Sequence, residues 1–247
     1  MKSKGFPCLG KIGKPVYTGC VYSVETNLKK LRLDISRITE RLGRSNDSVQ
    51  LLAVSKTFPP GPIRQAADAG QRSFGENRIQ EAEGKISQFV DLEWHLIGPI
   101  QSNKALRAVQ IFDVIQTLDR AKIINRLGRF CNQEAKALKV YLQINIGEEP
   151  QKYGSSLEQA ASLTDLIDSY PRLELQGLMC IPPFNPDPEG GRIYYSRMRE
   201  LLDELNRGRS KPLSKLSMGM SHDYQVAIEE GSTMVRVGTS IFGRRKP

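Results

Sequence analysis

From Asn27 onward the chain alternates between two hydrophobic periods. Leu28, Leu31, Ile35, Ile38 and Leu42 recur at spacings of three and four, which places them on one stripe of an amphipathic helix ended by Gly43. Short β-rich runs follow at 49–55, 73–75, 93–98, 114–117, 140–146, 173–180, 215–218 and 234–237. Helical stretches near 62–70, 77–88, 102–109, 119–136, 156–169, 191–206 and 222–230 separate them. Strands alternating with helices predict a parallel sheet, and eight is the number that closes into a barrel. The first strand-to-helix turn, Ser55-Lys56-Thr57-Phe58-Pro59-Pro60-Gly61, lacks the GxGxxG of a dinucleotide-binding open sheet. The expected fold class is α/β, a single (β/α)8 TIM-type barrel over residues 23–247.

The length of 247 residues suits such a barrel with little to spare. A hydrophobic fraction of 39% with 26% charged residues describes a soluble globule, and no apolar run is long enough for a membrane span or a secretory signal. A cytoplasmic location is the default. Residues 1–22 mix Gly, Pro and Lys without a period and read as a flexible basic extension outside the fold. A transit segment and a start assigned too far upstream are both open for it. Lys2, Lys4, Lys11 and Lys14 put four of the net +9 charges in that tail. The other basic residues alternate with acids, as in Lys29-Lys30-Leu31-Arg32-Leu33-Asp34, the look of a solvated helix face. Without basic clusters interleaved with aromatics, no nucleic-acid partner is expected. Cys8, Cys20, Cys131 and Cys180 form no CxxC pair and there are two histidines, so free thiols and no metal site are expected.

In a barrel of this kind the chemistry sits at the C-terminal ends of the strands. Lys56 closes the first strand behind the apolar run Leu51-Leu52-Ala53-Val54. At a low-dielectric rim, desolvation disfavours the ammonium form, and a neutral amine is what Schiff-base chemistry with a carbonyl cofactor requires. The plain alternative is a lysine that snorkels into solvent. Asn77, after the second strand, is placed either to bond a ring substituent or to cap the following helix. His95 has apolar neighbours and fits a structural histidine, while Gln101 and Ser102 look like helix-start residues. Ser217-Met218-Gly219-Met220-Ser221 ends the seventh strand, and Arg236-Val237-Gly238-Thr239 ends the eighth. Loops after strands 7 and 8 are where barrels frequently hold phosphate, and small residues there let backbone N–H groups reach the anion. An aldehyde partner for Lys56 and a phosphate across the mouth outline pyridoxal 5′-phosphate.

These residues lie in motifs that resemble the pyridoxal phosphate homeostasis proteins. The matching segments include Ala53-Val54-Ser55-Lys56-Thr57, Phe74-Gly75-Glu76-Asn77, Trp94-His95-Leu96-Ile97-Gly98, Gln101-Ser102-Asn103-Lys104, Lys152-Tyr153-Gly154 and Gly177-Leu178-Met179. They end with Leu216-Ser217-Met218-Gly219-Met220-Ser221 and Val235-Arg236-Val237-Gly238-Thr239-Ser240-Ile241-Phe242-Gly243. The resemblance covers residues 27–243. It implies a monomeric barrel similar to the N-terminal domain of alanine racemase, with the cofactor held as an aldimine on Lys56. It also implies Arg236 near the pyridine nitrogen, Asn77 close to the cofactor, and Ser217, Ser221, Gly238 and Thr239 in its binding set.

The function so implied is to carry or buffer pyridoxal phosphate and to take part in intracellular cofactor and amino/keto acid homeostasis. Apo forms of pyridoxal phosphate enzymes or regulatory proteins are the expected partners. An arginine can only donate, so it leaves the ring nitrogen unprotonated, where an Asp would support the stronger electron sink. The chain stops at Pro247, four residues after its last barrel motif, which leaves no room for a second domain carrying an opposing tyrosine base. Tyr153 and Tyr224 are not placed by sequence for that role. A carrier without catalysis is therefore expected, and a weak racemase-like enzyme is the alternative.

Overall fold

Each β-rich run is too short for a stable helix, and each is followed by a stretch long enough to cross back over a sheet. In the computed structural model, which describes residues 23–243, the runs form eight strands. These are β1 (Gln50–Val54), β2 (Ser73–Glu76), β3 (Glu93–Leu96), β4 (Val114–Leu118), β5 (Leu138–Ile144), β6 (Leu173–Cys180), β7 (Lys215–Met220) and β8 (Met234–Val237). They pair in sequence order, all parallel, and β8 closes on β1 with Leu52 opposite Arg236 and Ala53 opposite Val237. The expected extension at residues 1–22 lies outside the described residues.

The helices are α1 (Val24–Arg41), α2 (Pro60–Asp68), α3 (Ile79–Ile86), α4 (Ala105–Ile111), α5 (Ala121–Gln133), α6 (Ala160–Asp168), α7 (Arg192–Asn206), α8 (Tyr224–Glu229) and α9 (Thr239–Phe242). The last is a single turn, too short to cover the flank between β8 and β1. That place is taken by α1, which packs against α2, α8 and α9. Its stripe buries Leu28, Leu31, Ile35 and Ile38. Leu42 departs from the expected stripe: the helix stops at Arg41, Gly43 turns away at φ 65°, and Leu42 is left exposed at the cap. Asn27 Nδ2 then donates to the carbonyl of Ile241 at 2.9 Å, tying α1 to α9.

Two apolar regions result. The larger lies between strands and helices and includes Phe74, Trp94, Phe112, Leu127 and Tyr195. The smaller fills the barrel itself with Leu52, Val114, Tyr141, Met179 and Met234. β5 begins and ends two residues before its predicted limits, because Leu138 already pairs with Leu173 and the chain turns at Asn145. No helix among the described residues is long and apolar enough to cross a membrane.

Candidate functional site

β1 ends at Val54, so Lys56 stands two residues beyond the strand, in a turn closed by Phe58 N–H donating to Ser55 O at 3.1 Å. The next residue, Thr57, holds φ 70°, a left-handed conformation that a β-branched side chain adopts at a cost of about 1–3 kcal/mol. Something must hold that corner, and it comes from β2 and α3. Lys85 Nζ donates to Ser55 O at 3.0 Å, to Glu76 Oε1 at 2.9 Å and to Glu81 Oε1 at 2.7 Å. Ser55 Oγ donates to Glu76 Oε1 at 2.6 Å, and Thr57 N–H donates to Glu81. Both chain neighbours of Lys56 are thus pinned to one ion cluster. Lys56 itself is half-buried at the mouth.

The inner part of the cluster is out of water: the Glu76 side chain is 0% exposed and that of Lys85 is 7%, while Glu81 is partly exposed. Burial pushes the Glu76 carboxyl above the usual range despite its bonds to Ser55 and Lys85. Burial also opposes ionisation of Glu81, but its bonds from Lys85 and Thr57 outweigh it and hold that carboxyl below the usual range. The sequence reading missed Glu76, Glu81 and Lys85. A signal was present for Lys85, which sits three residues after Ala82 on the stripe that α3 buries, a place where an apolar residue is expected.

Arg236 is on β8, paired with Leu52 of β1, the strand that leads into Lys56. It is buried, and no carboxylate lies within salt-bridge distance of it among the described residues. Its Nη1 donates to Ser217 O at 2.6 Å and Ser217 Oγ at 2.9 Å, and its Nη2 to Cys180 O at 2.7 Å. Those bonds use three of the five guanidinium N–H groups. Burial lowers the Arg236 pKa, with nearby Cys180, Tyr195 and Asp223 opposing. Ser217 is fully buried beneath it, so its hydroxyl serves Arg236 rather than opening onto the mouth.

The loops after β7 and β8 meet where Gly238 N–H donates to Ser221 Oγ at 3.3 Å. A Cβ at Gly238 would come within 3.0 Å of the Val54 carbonyl, so a glycine lets the β8 end lie against β1. Gly238 caps α9, and Thr239 opens it with its side chain exposed. After β2, Asn77 is not a helix cap: α3 begins at Ile79 with Arg78 in the cap position. Asn77 instead lines a cleft with Arg78, Gln101, Lys104, Arg120 and Tyr153. Gln101 does start a helical turn as expected. Tyr224 donates its hydroxyl to Asp34 of α1. Among the described residues no group of His, Cys, Asp and Glu is arranged to hold a metal ion, and Cys131 and Cys180 are free and buried.

Comparison with known proteins matches residues 26–246 to the family described as "Alanine racemase, N-terminal domain". The chain is 42% identical over 229 residues to the pyridoxal phosphate homeostasis protein of Vibrio cholerae, covering 90% of this chain and 97% of that one. It is 44% identical over 225 residues to the protein of that name from Escherichia coli, covering 89% and 95%. Among solved structures, PipY of Synechococcus elongatus without PLP aligns with a TM-score of 0.81 at 36% identity, over 89% of this chain and all (100%) of PipY. PipY with PLP bound aligns at 0.79 and 35%, with the same coverage. Alanine racemase of Clostridium difficile aligns at 0.73 with 12% identity over 91% of this chain and 60% of that one, a likeness of fold.

Proposed function

Because this chain belongs to the alanine racemase N-terminal domain family, and within it to the pyridoxal phosphate homeostasis proteins, we propose that it binds pyridoxal 5′-phosphate through Lys56 and buffers the cofactor in the cell. The observation that carries this reading is Arg236: a buried guanidinium with no carboxylate partner among the described residues and three of its five N–H groups bonded, on the strand paired with the one that leads into the half-buried Lys56. The residues present fit the cofactor. Lys56 offers an amine on a clamped corner, and Ser221, Gly238 and Thr239 offer a small-residue seat for a phosphate. When bound, the cofactor supplies an aldehyde carbon that an amine can bond and a ring that can accept electrons.

The same residues support a carrier over a catalyst. Arg236 can only donate toward a ring nitrogen, so that nitrogen stays unprotonated and the ring is a weak electron sink. The Tyr224 hydroxyl is committed to Asp34, and burial together with that bond raises its pKa. The proposed setting is the cytoplasm, as a monomer, with apo-enzymes or regulatory proteins receiving the cofactor and a role in amino/keto acid balance. The test is the intact mass of native protein before and after borohydride reduction, with its visible absorption. Covalent mass on Lys56 and a band lost in Lys56→Ala are expected; a band unchanged in Lys56→Ala refutes the proposal.

A further inference from the structure

A buried polar thread runs down the inside of the barrel below Arg236, and neither the clamp on Lys56 nor the phosphate seat uses it. Ser217 Oγ donates to Gln116 Oε1 at 2.6 Å. Gln116 Nε2 lies 2.8 Å from His95 Nδ1, and His95 Nε2 lies 3.0 Å from Glu93 Oε2. Ser217, Gln116 and His95 are all buried. Glu93 opens the thread at the N-terminal end of β3, where it also accepts from Ser73 Oγ at 2.9 Å, Gln50 Nε2 at 3.1 Å and Lys139 Nζ at 3.4 Å.

Proton accounting gives the thread one direction. A guanidinium only donates, so Ser217 Oγ accepts from Arg236 and its own proton goes to Gln116. Gln116 must then turn its oxygen to Ser217 and its amide nitrogen to His95. His95 Nδ1 must accept, which puts the ring proton on Nε2, and the Glu93 carboxylate receives it. Turning any link around sets two protons face to face or leaves a buried hydroxyl proton with no acceptor, at the cost of a lost hydrogen bond.

We infer that Gln116 and His95, with Glu93 as the terminal acceptor, are positioning residues for Arg236. They settle which lone pair Ser217 offers the guanidinium, and so how its two remaining N–H groups are oriented. The inference rests on the reading that Arg236 faces a bound pyridoxal phosphate ring. Cys180, Tyr195 and Asp223 also face Arg236, from β6, α7 and the loop after β7, and none of them is part of the thread.

Gln116→Met tests it, since it keeps the side-chain length while removing both the donor and the acceptor. With Lys56 intact the visible band should persist but shift, and affinity for pyridoxal phosphate should fall about fivefold to tenfold, the worth of one hydrogen bond between uncharged groups. Gln116→Glu, which returns an acceptor to Ser217, should recover part of that loss. The second readout needs no cofactor: nitrogen-15 spectra of labelled histidine in Lys56→Ala, where the chain has two histidines to assign. His95 should carry its proton on Nε2, held there by Glu93, and Gln116→Met should shift the Nδ1 resonance as that nitrogen loses its donor. An unmoved band and affinity in Gln116→Met, or a proton on Nδ1 in the parent, overturns the inference. If Gln116→Met does not fold, Glu93→Leu cuts the thread at its open end, and an unmoved band there overturns it equally. A wild-type protein with no band refutes the cofactor reading itself and this inference with it.

Discussion

Lys85→Met removes the ammonium that Glu76 and Glu81 share and leaves the rest of the clamp in place. Nζ makes three bonds of 2.7–3.0 Å in wild type, and the partner it abandons, Glu76, is wholly buried. Breaking a buried ion pair from one side costs about 3–5 kcal/mol, because a charge is left without compensation. The loss should sit near the low end, about 3 kcal/mol. Burial already pushes the Glu76 carboxyl up, so without Lys85 it can take a proton instead of staying charged. With a raised folded-state pKa the native variant binds a proton that the unfolded chain releases, so its deficit shrinks as pH falls toward the ordinary carboxylate range. Urea unfolding at pH 7.5 and pH 5.5, followed by far-ultraviolet circular dichroism, measures both points. With a slope of about 3 kcal/mol/M, the midpoint should drop by about 1 M at the higher pH and by less at the lower. Glu76→Gln added to Lys85→Met should restore part of the loss at pH 7.5. A deficit under about 1 kcal/mol, or one that grows as pH falls, would refute the clamp as described.

Two further outcomes follow from the same structure. The hydrogen bond from His95, helped by Ser73 and Lys139 against partial burial, holds the Glu93 carboxyl down to about 2. Its stabilisation is therefore present above about 4.5, the ordinary value, and is lost as pH falls toward 2; Glu93→Gln should flatten this acid limb of stability in urea titrations. Gly98→Ala would set a Cβ 2.1 Å from the carbonyl oxygen of Asn77, a backbone atom that cannot swing aside. A loss of about 1–3 kcal/mol, with a displaced Asn77, should appear as a lower melting temperature and altered cofactor affinity.

Local pattern carries much of this molecule. The eight strands stand where the period-two and continuous apolar runs predict, and the α1 stripe buries four of its five expected leucines and isoleucines. The fifth, Leu42, fails because a helix ends by backbone geometry at Gly43, which periodicity does not see. Asn77 has the right chemistry for a helix cap, but the chain enters α3 two residues later. The placement of Lys56, Arg236, Ser221, Gly238 and Thr239 at or just after strand ends is legible because strand ends are fixed once the strands are. The interior thread is not legible, since His95, Gln116, Ser217 and Arg236 become neighbours through barrel register across up to 101 residues of sequence. The clamp is half-legible: a lysine on an apolar stripe asks for a buried partner but does not say which carboxylate answers.

The seat that α1 occupies bears on how the chain assembles. Its apolar stripe is among the first described residues to be made, yet α8 and α9, which help to cover it, are among the last. Through synthesis the stripe of Leu28, Leu31, Ile35 and Ile38 must wait without that cover, while β1 also lacks its neighbour β8. Joining the two ends closes the strand ring and the helix ring in one event of high contact order, the slow kind of step in folding. Lys56 follows one of the two strands that this seam brings together and Arg236 stands on the other, so the candidate site is assembled when the barrel shuts.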